Sequence, residues 1–173
     1  MAHRYVIIGN SGAGKSTLAH SLARRHRLAH LDLDLLAWLP GLPPVRRPLA
    51  EALGDIRAFL EREPRWVLEG CYADLLAEVL PQADALRFLN PGAEVCVAHC
   101  RARPWEPHKY ASKAEQDARL EQLVRWVRGY ETRQDELSLS AHQALFDRFQ
   151  GDKLELRDPA LWAEESIPAL SSP

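Results

Sequence analysis

Near its start the chain carries a glycine-rich segment between an apolar run and a helix-forming run. The apolar run covers residues 5–8, and residues 9–16 have the spacing G-x-x-x-x-G-K-S. Glycines let such a segment turn back so that its N–H groups converge, and the helix that follows adds the positive end of its dipole. The order of strand, loop and helix predicts a phosphate-binding loop. The alternative, a glycine-rich turn that matches by chance, is disfavoured by the flanking patterns.

The loop predicts how a nucleoside triphosphate and Mg²⁺ would be held. Lys15 should reach the β and γ phosphates, Ser16 offers a hydroxyl to the metal, and Thr17 can contact the α phosphate. The residues expected to bind the nucleotide on this basis are Gly9, Asn10, Ser11, Gly12, Ala13, Gly14, Lys15, Ser16 and Thr17.

Length and charge limit the class of protein. The chain has 173 residues and a net charge of −2, so we expect one domain, residues 1–173, without a broad attraction to nucleic acid or to an anionic membrane. No apolar run approaches the about 20 residues that cross a bilayer, and no basic-then-apolar leader is present. Three cysteines fit reduced thiols. These features predict a cytoplasmic protein, and the phosphate-binding loop predicts a small-molecule or nucleotide partner.

Short apolar runs alternate with longer helical patterns, which predicts an α/β fold with a parallel sheet covered by helices on both faces. We expect strands at about residues 4–8, 28–33, 65–69, 83–89 and 153–157. We expect helices at about residues 15–27, 49–61, 73–79, 91–103, from 112, at 135–149 and from 159. Prolines and a glycine in residues 38–44 predict a substantial loop.

Acidic residues follow two of these strands. Ligands gather at the carboxyl ends of the strands in such sheets, and Glu69 ends the third strand, so we expect it to hold Mg²⁺ directly or through water. The alternative is a carboxylate that caps the next helix. Asp32 and Asp34 alternate with leucines, which in a strand places both carboxylates on one face. One would hold a metal-bound water while the other orients an acceptor hydroxyl. The alternative is that they are solvated polar residues of a half-buried strand.

Basic residues are expected to surround a transferring phosphoryl group and to exclude water from it. Residues 101–109 bring together Arg101, Arg103, His108 and Lys109 beside prolines and Trp105, which predicts a flap over the phosphates. Arg119, on the next helix, can also point inward. As an alternative, these are surface bases on a helical connection.

Three more arginines have expected roles. Arg46 and Arg47 lie in the loop after the second strand, where arginine geometry suits an anionic acceptor, with a surface location as the alternative. Arg157 follows the last strand and, by position alone, is expected to border the adenine.

Three motifs resemble those of the P-loop kinases of the adenylate-kinase and shikimate-kinase type. They are G-x-S-G-x-G-K-S-T at residues 9–17, H-L-D-x-D at 30–34 followed by W-L-P-G at 38–41, and W-V-L-E-G-C-Y at 66–72. The likeness covers about the first 130 residues and is greatest to the small FlaR-like group described as topology-modulation or adenylate-kinase-related proteins. The chain lacks the glycine run of shikimate kinases after strand 3 and the P-loop proline of adenylate kinases, so the resemblance names no acceptor.

The resemblance implies a five-stranded sheet of order 2-3-1-4-5, an acceptor-binding region at about residues 35–64 and a mobile lid at about 101–119. It implies acceptor-side roles for Asp34, Arg46, Arg47 and Tyr72. It implies lid-side roles for Arg101, Arg103 and Arg119.

The leading hypothesis is an ATP- and Mg²⁺-dependent kinase for a small acceptor, either a nucleotide or a hydroxylated metabolite. Lys15, Arg101 and Arg103 would stabilise the transferred charge, Ser16 and Glu69 would place the metal, and Asp34 would orient the acceptor. Two alternatives stay open from the sequence. One is a nucleotide-switched regulatory or binding protein, and the other is a simple ATPase.

Overall fold

A computed structural model of the chain describes residues 3–41, 44–107, 110–160 and 162. Five strands form one parallel sheet in the order β2-β3-β1-β4-β5. The strands are β1 (Arg4–Gly9), β2 (Ala29–Asp32), β3 (Trp66–Gly70), β4 (Ala85–Leu89) and β5 (Asp152–Leu156). The helices are α1 (Lys15–His26), α2 (Leu49–Arg62), α3 (Ala73–Val79), α4 (Ala93–Ala102), α5 (Lys113–Arg128) and α6 (Leu139–Arg148). The α/β fold and the strand order expected from the sequence are confirmed.

Helices cover both faces of this sheet, so that its middle strands are buried on both sides. Alternate residues of β1 face opposite ways: Val6 and Ile8 pack with α2, α3 and α6, while Tyr5 and Ile7 pack with α1, α4 and α5. Strands buried on both faces consist of nearly continuous apolar residues, which is why short apolar runs in the sequence located them. The result is three layers with the carboxyl ends of all five strands at one edge.

Several element ends differ from the sequence-based expectation. The helix expected from residue 135 begins at Leu139, because the Ser138 hydroxyl accepts a hydrogen bond from the N–H of Ala141 and caps it there. The strand expected at 28–33 ends at Asp32. Most of the helix expected from residue 159 lies outside the described residues, as do His108, Lys109 and residues 42–43 of the proline-rich loop. Among the helices described, none has the length and apolar character needed to cross a membrane.

Candidate active site

The loop predicted to bind phosphate connects the end of β1 to the start of α1. Gly12 and Gly14 have φ values of +79° and +96°, which side chains rarely allow, and a Cβ on Gly14 would collide with the Trp162 ring. Lys15, the first residue of α1, folds back over the loop, and its Nζ donates to the Asn10 carbonyl at 2.9 Å. Backbone N–H groups, a helix N-terminus and an ammonium group therefore lie together, as phosphate binding requires.

Asn10 anchors the loop to the rest of the molecule. Its side chain is buried, and Nδ2 donates to the Val127 carbonyl on α5 at 3.0 Å. Its Oδ1 accepts the N–H of Ser11 at 2.9 Å and lies 3.5 Å from a guanidinium nitrogen of Arg133. The backbone of Asn10 thus belongs to the loop, while its side chain ties the loop to the end of α5.

Glu69 is the buried acid of the site. It is the last residue but one of β3, with 2% of its surface exposed, and Oε1 lies 3.5 Å from Nε2 of His30. Burial acts to raise the pKa of this carboxyl, but His30, the charge of Lys15 and the Ser16 hydroxyl together hold the pKa below its ordinary value. The helix-cap alternative is not what the structure shows, since the residue at the N-cap of α3 is Tyr72.

The donor set around Glu69 fits a hard divalent cation. Within the described residues Oε1 accepts no hydrogen bond of good geometry, although it is buried. An ionised carboxylate beside a serine hydroxyl is the oxygen-rich environment that Mg²⁺ prefers. Asp32 pairs with Glu69 in the register of β2 and β3, so its backbone lies next to the same point.

Asp32 and Asp34 do not share a strand face, so that expectation was wrong. The strand ends at Asp32, whose Oδ1 accepts the N–H of Asp34 at 2.9 Å and caps a short 3-10 turn over Leu33–Leu35. Aspartate side chains readily bond the backbone two residues on, and here this local bond displaces the extended conformation. Asp34 is therefore carried beyond the sheet, toward Tyr72.

Two aromatic residues fix the Asp34 carboxylate. The Tyr72 hydroxyl donates to Oδ1 of Asp34 at 2.7 Å and accepts the indole N–H of Trp38 at 2.7 Å. An indole N–H only donates and a carboxylate only accepts, so the direction of both bonds is determined. Burial, with smaller effects from Cys71 and Asp34, raises the pKa of Tyr72, which keeps the phenol protonated. Asp34 is thus a carboxylate held in one orientation.

Arg46 lies on the same side of the site, but its charge is already engaged. Its guanidinium lies over the Tyr72 ring, 4.9 Å from the centroid, and 5.7 Å from the Trp38 centroid. It pairs with Glu136 at 2.7 Å and with Asp74 at 3.0 Å.

Arg47, the other arginine expected at the acceptor, turns toward α2. It pairs there with Asp55 at 2.6 Å and Glu51 at 3.4 Å, both on the exposed surface of that helix. The acceptor roles expected for Arg46 and Arg47 stay predictions.

The arginines of the expected lid differ in what they face. Burial acts to lower the pKa of Arg103, but Glu106, Cys100 and Asp34 raise it above its usual value, which places Asp34 within electrostatic reach of Arg103. Arg103 also pairs with Glu106 at 3.3 Å. Arg101 is exposed and pairs with Glu121 at 3.3 Å.

Arg119 and Arg157 pair with acids close to them in sequence. Arg119 pairs with Glu115 at 3.0 Å on α5 and lies 5.8 Å from the Tyr110 ring centroid. Arg157 is 74% exposed and pairs with Glu155 at 2.9 Å. Their expected contacts with the nucleotide remain predictions.

Sequence reasoning missed Arg133. It lies in the connection between α5 and α6, and its guanidinium donates to the carbonyls of Trp126 at 2.7 Å and Leu137 at 3.1 Å. Its remaining side points to Asn10, and the Trp126 ring centroid is 3.7 Å away. Gly129 and the polar residues after it indicate that α5 ends there, but no sequence pattern shows that this connection lies against Asn10, which is 123 residues away in sequence.

His142 was also missed, and it supports the end of β3. It is buried, and because Nε2 lies 2.8 Å from the Cys71 carbonyl, which only accepts, Nε2 carries the proton. Nδ1 then accepts the Tyr130 hydroxyl at 2.6 Å. Burial lowers the pKa of His142 to about 4, so the ring is neutral at pH 7. The pair Tyr130–His142 thereby holds the backbone next to Tyr72.

Comparisons with known proteins agree with this fold. A gluconokinase from Sinorhizobium meliloti is 17% identical with a TM-score of 0.54, and the match covers 95% of this chain and 89% of that one. An unliganded sugar kinase from a Janibacter species is 20% identical with a TM-score of 0.50, over 99% of both chains. No protein-family model and no curated protein matches the chain. The likenesses show the P-loop kinase fold, while the closer resemblance to the FlaR-like group stays a prediction.

Proposed function

We propose that the protein is an ATP- and Mg²⁺-dependent phosphotransferase that moves the γ phosphate of ATP to a hydroxyl of a small acceptor. One observation carries the proposal. A phosphate-binding loop with Lys15, a buried and ionised Glu69 beside Ser16, and an Asp34 carboxylate fixed by Tyr72 meet at one edge of the sheet. The likeness to a gluconokinase and to a sugar kinase supports the same reaction type.

The nucleotide side of the site neutralises charge. The loop N–H groups and Lys15 would bind the β and γ phosphates. Lys15 would also stabilise the negative charge that develops as the γ phosphoryl group is transferred. Ser16 and Glu69, with Asp32 adjacent, would hold Mg²⁺, which when bound neutralises phosphate oxygens. Arg103 would add positive charge from the lid side.

The acceptor side orients a hydroxyl. Asp34 would accept the hydroxyl hydrogen and aim the oxygen at the γ phosphorus. The new bond joins acceptor oxygen to phosphorus, the bond from phosphorus to the β–γ bridging oxygen breaks, and ADP leaves with the electron pair. The hydroxyl proton passes to Asp34 or to water. Because phosphoryl transfer depends mainly on alignment and charge neutralisation, Asp34 acts chiefly by position.

A coupled ADP-release assay tests the proposal. Mg-ATP is offered with a panel of nucleoside monophosphates and small hydroxylated metabolites, and Lys15→Ala is compared with Arg24→Ala. Both variants remove one positive charge from α1, but Arg24 is exposed away from the loop. We expect acceptor-stimulated release that falls by about 100-fold or more in Lys15→Ala and is unchanged in Arg24→Ala.

Two results would contradict the proposal. Tight ATP binding without stimulation by any acceptor would favour the nucleotide-switched regulator. Rapid turnover that needs no acceptor and is lost in Lys15→Ala would favour the ATPase.

A further inference from the structure

One side chain of the connection between α5 and α6 reaches the loop after β1. We propose that this residue, Arg133, is a positioning residue of the nucleotide site, which fixes the Asn10 side chain and through it the start of the loop, so that ATP is bound in preference to ADP. This inference rests on the nucleotide binding of the proposed function. It assigns a role to a residue that contacts the loop rather than the nucleotide.

The guanidinium of Arg133 is held in one orientation. Its Nη1 donates to the Trp126 carbonyl at 2.7 Å and its Nε to the Leu137 carbonyl at 3.1 Å, and Cζ lies 3.7 Å from the centroid of the Trp126 ring. A planar fork that binds two carbonyls and stacks on a ring has little freedom to turn. The side chain is 13% exposed, and the Asp135 carboxylate lies 3.7 Å from Nε. Arg133 is therefore a fixed donor whose charge already has a partner in the protein.

The contacts of Asn10 allow only one orientation of its side-chain amide. Nδ2 donates to the Val127 carbonyl at 3.0 Å. Oδ1 accepts the Ser11 N–H at 2.9 Å and faces Nη2 of Arg133 at 3.5 Å. A carbonyl only accepts, and a guanidinium and a backbone N–H only donate, so exchange of the amide oxygen and nitrogen would bring like groups together at all three contacts.

The contact between Arg133 and Asn10 acts on the backbone of the loop. At 3.5 Å it is longer than an ordinary hydrogen bond, so it acts mainly as the attraction of a charge for the amide oxygen. This attraction keeps Oδ1 on the side where it accepts the Ser11 N–H. Arg133 thus fixes the direction of a loop N–H without a bond to the loop backbone.

The backbone of Asn10 marks the end of the loop at which ATP and ADP differ. Nζ of Lys15 donates to the Asn10 carbonyl at 2.9 Å, and the lysine of such a loop contacts the β and γ phosphates when a nucleotide is bound. ADP lacks the γ phosphate. A misplaced Asn10 should therefore weaken the binding of ATP more than that of ADP.

Equilibrium binding of Mg-ATP and of Mg-ADP, measured by calorimetry without an acceptor, tests the inference. Arg133→Lys keeps the charge but cannot bind two carbonyls and stack on Trp126 at once. We expect it to weaken ATP binding by about tenfold and ADP binding by less than about threefold. Arg128→Lys is the control, because Arg128 is an exposed residue at the end of α5 that pairs with Glu94, and it should change neither affinity.

A double-mutant cycle with Asn10→Ala tests whether the effect passes through Asn10. In the Asn10→Ala background, Arg133→Lys should change the ATP affinity by less than about twofold. Equal losses in both backgrounds would show that Arg133 acts on the nucleotide by itself, and would overturn the positioning role. Equal losses for ATP and ADP, or a loss of stability to urea alone, would make Arg133 a structural residue and overturn it as well.

The wild-type protein provides a test that holds even if the variants fail to fold. ATP should slow amide hydrogen exchange in residues 126–137 more than ADP does, because the bound γ phosphate orders the end of the loop that Arg133 contacts. The same exchange in both complexes would overturn the inference. ATP binding with the expected properties but without acceptor-dependent ADP release would overturn the phosphotransferase alone, and no binding of either nucleotide would overturn both proposals.

Discussion

Glu69 combines burial with a negative charge at neutral pH, an arrangement that needs cationic or polar neighbours. His30, Lys15 and Ser16 provide them and hold the pKa of the carboxyl down. Glutamine keeps the shape of this side chain and removes its charge. We therefore expect Glu69→Gln to raise the Mg²⁺ concentration for half-maximal ADP release by about 10–100-fold.

The measurement is a Mg²⁺ titration at saturating ATP, with Glu61→Gln as the control. Glu61 is an exposed glutamate of α2, so its replacement changes net charge equally and should leave the titration unchanged. An unaltered midpoint in Glu69→Gln would show that the metal is held elsewhere.

His142 predicts a particular dependence of stability on pH. Its pKa falls from 6.5 in the unfolded chain to about 4 in the fold, so between these values the unfolded state binds the proton and the folded state does not. Acid therefore favours unfolding, and His142 should reduce the free energy of unfolding by up to roughly 3 kcal/mol between pH 6.5 and 4.

Urea unfolding at pH 7, 6 and 5 measures this effect. His142→Gln can still donate to Cys71 and accept from Tyr130, but it does not titrate, so its loss of stability toward pH 5 should be smaller than that of the wild type. His3→Gln, at an exposed histidine, should follow the wild type. Parallel pH profiles for all three proteins would contradict the low pKa.

For single residues, the sequence predicted those positions that depend on their immediate neighbours in the chain. The positions of the glycine-rich loop and of Glu69 at the carboxyl edge of the sheet were predictable, because an apolar run that ends at a glycine or an acid marks that end of a strand, while their roles in binding stay predictions. The sequence-based position of Asp34 on a strand was wrong, because the hydrogen bond from its N–H to the Asp32 side chain ends the strand. The partners of Arg46 could not be found, since Asp74 and Glu136 lie 28 and 90 residues away in sequence.

Two helices at the site begin with serine caps that differ in burial. The Ser112 hydroxyl accepts the Glu115 N–H at 3.1 Å and is exposed, whereas Ser138 is buried and also donates to the Asp135 carbonyl at 2.7 Å. Ser138→Ala should cost about 1–2 kcal/mol of stability and Ser112→Ala about 0.5–1, because the buried site leaves N–H and C=O groups without water.

Thermal or urea unfolding of the two variants checks this difference, and each serves as the control for the other. A larger loss of stability in Ser112→Ala than in Ser138→Ala would mean that the backbone groups at the start of α6 find other hydrogen-bond partners in the variant. These caps also explain the element ends. The sequence pattern predicted this helix but not its first residue. The composition of residues 135–138 is compatible with a helix, and only the hydrogen bonds of Ser138 show that α6 begins at Leu139.

For the whole molecule, the sequence predicted the fold but not which charged side chains lie next to one another. Alternating strand and helix patterns imply a covered parallel sheet, and the strand order followed from the resemblance to P-loop kinases. The region expected to bind the acceptor is built from contacts among the loop after β2, the start of α3 and the connection before α6. Such contacts join distant parts of the chain and leave no periodic signal in it.

The position of β1 in the sheet also governs when the site can exist. This strand is made first, yet its partners are β3 and β4, and the 80 residues from Gly9 to Leu89 separate it from the far end of the second partner. At about 5–20 residues per second, a nascent chain carries the loop for several seconds before both neighbours have been synthesised. The loop after β1 can therefore take up the arrangement described here only once β3 and β4 have been synthesised, although its own residues precede both strands in the chain.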